Sequence, residues 1–127
     1  MIFCRLPAPL ALLVLTVLCQ SGCQQSPQAA APDQAREELR QALDAWKQGE
    51  RPEAFQERTG TTPVERRWTQ GVRLLAYDIQ GDGRLDGFDW QSQVRLSLQA
   101  PLGKKMLERA IYNVSTSPAR VVVRNES

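Results

Sequence analysis

The sequence predicts an α+β domain, with an N-terminal helix packed on one face of a four-stranded antiparallel sheet. Three observations predict it. Ala35, Leu39, Ala42, Leu43 and Trp46 fall on one helical stripe. Trp90, Ser92, Val94, Leu96 and Leu98 alternate with Gln91, Gln93, Arg95, Ser97 and Gln99, as in a strand with one wet face. Val121, Val122 and Val123 form a short β-branched run near the C-terminus.

The elements follow in chain order. Asp33, after Pro32, is positioned to cap the first helix, and Glu37 and Glu38 lie near its positive end. Arg36, Arg40, Gln41 and Asp44 face away from the stripe, and Gly49 supplies a left-handed stop. Residues 51–58 read as a short second helix with Pro52 in its first position and Phe55 as its core anchor. Residues 59–63, which include Gly60 and Pro63, break it. Residues 72–79 are apolar and β-prone, but the doublet Leu74–Leu75 interrupts alternation, which a bulge or two-faced burial explains. Residues 100–103 make a turn.

Residues 104–115 carry two patterns. Met106, Leu107, Ala110, Ile111 and Val114 suit a helix; a strand fits less well, whether Leu107 and Ile111 share a face with Lys105, Arg109 and Asn113 or Met106, Ala110, Tyr112 and Val114 share one with Lys104 and Glu108. The strand reading is preferred because the segment leads into a hairpin at Ser117–Pro118 and the valine run.

The chain begins with Arg5, an apolar run over residues 10–18 and the ending Ser21-Gly22-Cys23. The run is far short of the roughly 20 apolar residues of a membrane-spanning helix and has the length of a signal-peptide core. Small residues before a cysteine resemble the lipobox of bacterial lipoproteins, although Gln20 stands where that family prefers Leu. The resemblance implies cleavage after residue 22, acylation of Cys23 and export to a lipid-anchored position. Gln24 in place of an Asp weakly favours the outer membrane or periplasmic face. Cleavage would remove Cys4 and Cys19, so the mature chain would hold one cysteine and no disulfide. An ordinary secretory signal cut nearby is the plainer alternative. Residues 23–32, free of charge and apolar period, read as a flexible tether, and residues 33–127 as one domain.

Composition excludes several chemistries. The chain has no histidine, so a Ser-His-Asp or Cys-His triad is impossible and a zinc or copper site has no imidazole ligand. Sixteen basic against 14 acidic residues give a formal charge of +2, which is no footprint for nucleic acid. No cofactor is expected.

One segment has cation-site character. Asp78, Asp82, Asp86 and Asp89 occupy the first, fifth, ninth and twelfth places of an EF-hand-like calcium loop, with Gly83 at the sixth. Gln80 at the third place departs from that layout, and the strand-like segment after residue 89 replaces the helix the motif requires. The Asp82–Gly83 and Asp86–Gly87 pairs read instead as hairpin turns with carboxylates in water. Trp46, Trp68 and Trp90 read as core rather than pocket lining.

The order of elements over residues 33–124 resembles cystatin-like and NTF2-like folds, in which a curved sheet wraps an N-terminal helix. Residues 43–47, 52–55 and 112–118 also resemble a domain of exported bacterial proteins with no assigned activity, which implies none here. The leading expectation is a membrane-anchored, non-enzymatic domain that binds or assembles with an envelope protein. A ligand-binding protein or enzyme with a pocket inside the curved sheet is the alternative, and a calcium-stabilised module the third.

Overall fold

The structure, a computed structural model, describes residues 28–125. The expected signal peptide, Cys23 and the start of the tether lie outside those residues. The elements are helix α1 (Pro32–Lys47), helix α2 (Pro52–Thr59), strand β1 (Thr62–Val64), the single turn α3 (Arg66–Thr69), and strands β2 (Arg73–Asp86), β3 (Asp89–Gln99), β4 (Lys105–Ser115) and β5 (Val121–Asn125). The sheet order is β1-β5-β4-β3-β2.

The fold is α+β with the helix on a sheet, but the sheet has five strands and is mixed. β1 runs parallel to β5, pairing Thr62 with Val121 and Val64 with Val123. The segment expected only to break a helix does so and then adds a strand. Gly60 takes the left-handed φ of 77° that ends α2, its N–H donating to the Gln56 carbonyl. Thr61 is then buried, and the Thr62 N–H reaches the Arg120 carbonyl at 2.9 Å. Three residues show no period, and a proline is tolerated in a strand mainly at an edge, where β1 lies.

Helix α1 begins one residue earlier than its expected cap. Ala31 is the N-cap and offers no side-chain bond, Pro32 occupies the first turn, and Asp33 lies inside that turn. Ala30 is 2 % exposed, so the chain is already docked before the helix starts. The whole stripe from Ala35 to Trp46 is buried, as is Phe55 of α2. The sheet supplies Trp90, Val94, Leu96 and Leu98 from β3 and Ala110, Tyr112 and Val114 from β4 to the same core. Each of the larger aliphatic side chains contributes about 1.5–3 kcal/mol by leaving water. All three tryptophans are core. Trp46 stacks on Trp68 with ring centres 6.0 Å apart, and their N–H groups are satisfied by the carbonyls of Val72 and Glu50.

β4 is a strand along its length, paired with β3 from Trp90–Val114 to Gln99–Lys105. β2 carries two irregularities. The first lies between Leu74 and Ala76, where the doublet broke alternation; the second spans Gln80 to Arg84. There Gly83 lies on the indole of Trp90, where a Cβ would stand 2.4 Å from Cε2, and its φ is 72°. Trp90 Nε1 donates to the Asp82 carbonyl at 3.2 Å. Asp82–Gly83 is therefore a bulge inside a strand rather than a turn. The turn of the hairpin is Gly87–Phe88, flanked by the paired Asp86 and Asp89.

Candidate functional site

Two polar constellations rise from this fold, one buried and one open. The buried one joins α3, β4 and β5. Glu65 caps α3 by accepting the Arg67 N–H at 2.8 Å. It also takes the Tyr112 hydroxyl and, at 3.3 Å, the Arg124 guanidinium. Arg124 bonds Glu108 as well, and Arg67 reaches Glu108 at 2.8 Å. Burial would raise the Glu108 carboxyl, but the Arg124 and Arg67 guanidinium groups outweigh it and hold it below its ordinary range. Burial and the Glu65 charge push the Tyr112 hydroxyl far above its ordinary range. The space beside this cluster, between α1 and the sheet, is about 10 Å³, room for no more than a water. With Glu65 and Glu108 already engaged and no room for a substrate, the cluster acts as a polar clamp between strands and α3.

Glu38 on α1 is the other buried carboxylate. It is 6 % exposed, takes one long bond from Gln34 at 3.4 Å, and leaves Oε2 without a partner. Burial raises its pKa, against smaller opposing effects of Gln34 and Arg120. A carboxyl raised in the native state binds more protons there than in the unfolded chain, so stability falls as pH climbs through the raised value. Glu38→Gln is expected to remove that slope above about pH 4.5 and to raise stability at pH 7 relative to the wild type. Urea melts across pH check it; an unchanged slope contradicts the assignment.

The open constellation is the sheet face turned away from the helices. Strand alternation sends Ala76 and Asp78 of β2, Arg95 and Ser97 of β3, and Leu107 and Arg109 of β4 to this side, where they line a groove of about 470 Å³. Leu107 is 87 % exposed. Register sets two rows across the groove, Asp78–Arg95–Arg109 and Ala76–Ser97–Leu107. Arg95 and Arg109 are thus directly opposite, a like-charge pair that costs stability. Neither forms an ion pair within the described residues. Asp78 stands across from Arg95, but its carboxylate takes the Gln80 amide at 2.6 Å. The groove therefore presents two unengaged guanidinium groups over an apolar strip.

The four aspartates of the calcium-like layout are not gathered. Asp78 is in the groove, Asp82 in the bulge, and Asp86 and Asp89 flank the turn. Strand rise of about 3.3 Å per residue puts Asp78 roughly 20 Å from Asp86. Among the described residues, no group of three or more His, Cys, Asp or Glu side chains is placed to hold a metal ion. Sequence reasoning placed Arg95 on a wet face but missed its partner. Finding Arg109 needs the register of β3 against β4, which alternation alone does not give. The bonding of Glu65 and Arg124 around Tyr112 was missed, since nothing local marks a charge as buried.

Comparison with known protein families, with curated proteins and with solved structures returned no match. No helix among the described residues is long and apolar enough to cross a membrane.

Proposed function

We propose that this chain is a lipid-anchored, non-enzymatic binding module of a bacterial envelope, tethered through acylated Cys23, whose open sheet face holds an acidic segment of a partner protein. The small-small-Cys ending at Ser21-Gly22-Cys23 supports the anchor. The observation that carries the binding half is the Arg95–Arg109 pair, opposed across β3 and β4, with neither guanidinium held in an ion pair among the described residues. Arginine's planar fork suits carboxylates, and the strip of Ala76 and Leu107 beside it suits an apolar neighbour in the same segment. The reading that places a ligand between helix and sheet gains no support from a space of about 10 Å³.

The test is a fluorescence-anisotropy titration with a labelled peptide of alternating glutamate and leucine. The wild type is expected to bind it, more weakly as salt rises. Arg95→Gln/Arg109→Gln should weaken binding at least about tenfold, a loss of about 1.4 kcal/mol. Lys47→Gln, at the end of α1 on the other side of the sheet, should change nothing. Equal affinity in all three proteins refutes the groove.

A further inference from the structure

We infer that Leu85 and Phe88 form a second, non-covalent membrane contact that fixes the orientation of the anchored domain. The inference rests on the lipid-anchor reading above. It begins with Ala30, whose N–H donates to the Phe88 carbonyl at 2.9 Å. That bond pins the chain leading into α1 against the β2–β3 turn. Ala30 is seven residue steps from Cys23, and a fully extended chain of that length spans at most about 24 Å. An acylated Cys23 therefore keeps this turn close to the bilayer surface, whatever path the intervening chain takes.

The turn has the chemistry to use that proximity. Phe88, in the β2–β3 turn, is 58 % exposed, and Leu85, three residues before it near the end of β2, is 50 % exposed. An apolar pair of this size gives weak binding alone. A short tether raises its effective concentration at the membrane to the millimolar range, so a weak contact suffices. Asp82, Asp86 and Asp89 outnumber Arg84 around the turn, so neutral phospholipid is the favoured surface over an anionic one. The exposed Leu102, in the β3–β4 turn, lies at the opposite end of strands roughly 35 Å long. Arg95 stands seven residues along β3 from Phe88, roughly 20 Å away. With the Phe88 turn on the bilayer, the groove is held clear of it, open to a partner.

The test uses the full chain, produced in a bacterial host fed labelled palmitate and reconstituted in phosphatidylcholine vesicles that carry a lipid-phase quencher. A fluorophore is attached at Asp86→Cys or, separately, at Leu102→Cys. Palmitate incorporation that disappears in Cys23→Ala reports the anchor. The expected result is strong quenching of the label at position 86 and little at 102. Adding Leu85→Ser and Phe88→Ser to the position-86 protein should abolish that quenching while palmitate incorporation is retained. Anchored protein quenched equally at both positions, or quenched at 86 regardless of the serine pair, overturns the membrane contact and leaves the anchor standing. Absence of palmitate refutes the anchor, and the contact falls with it.

Discussion

Leu43→Asp is expected to leave no folded domain at neutral pH. Leu43 is 2 % exposed, midway along the α1 stripe that covers the sheet. An aspartate there is a charge without a partner, and its desolvation costs several kcal/mol on top of the lost leucine. That sum rivals the entire stability of a typical domain, about 5–15 kcal/mol. Gln93→Lys, on the open face of β3, should change stability by less than about 0.5 kcal/mol. Urea melts of the two variants check the facing of helix and sheet together; similar midpoints contradict it.

Arg124→Met carries the next largest effect. Its guanidinium answers both Glu65, which is 5 % exposed, and Glu108. Removing it strands a buried carboxylate, a change that costs about 3–5 kcal/mol. Glu65→Gln added to Arg124→Met should recover part of the loss, because the amide oxygen still caps Arg67 without carrying charge. The pH dependence has a definite sign. Glu108 titrates lower in the fold than its ordinary value of 4.5, so its contribution is present above that value and lost as pH falls through the lowered one. The gap between wild type and Arg124→Met should therefore narrow in acid. A gap that stays constant or widens contradicts the charge account.

The parts of the fold visible in the sequence were those with long periods. The α1 stripe and the alternation of β3 each run past ten residues, so a single face repeats often enough to be read. The ambiguous segment 104–115 became a strand because β3 offers it a full-length partner, a tertiary fact its own pattern could not contain. β1 was hidden by its three residues and by Pro63. Asp82–Gly83 carries the same dipeptide signal as a turn; the flat indole of Trp90 beneath Gly83 makes it a bulge instead. The groove was half visible. Arg95 could be assigned to the wet face, but a like-charge pair exists only once two strands are in register.

The central claim is that Arg95 and Arg109 are kept opposed for a ligand rather than for the fold. Arg109→Gln tests it most directly, with urea midpoint and affinity for the glutamate–leucine peptide measured on the same preparation. Relief of the like-charge pair predicts stability unchanged or raised by up to about 0.5 kcal/mol, together with several-fold weaker peptide binding. Stability that falls, or affinity that stays at the wild-type value, would contradict the account.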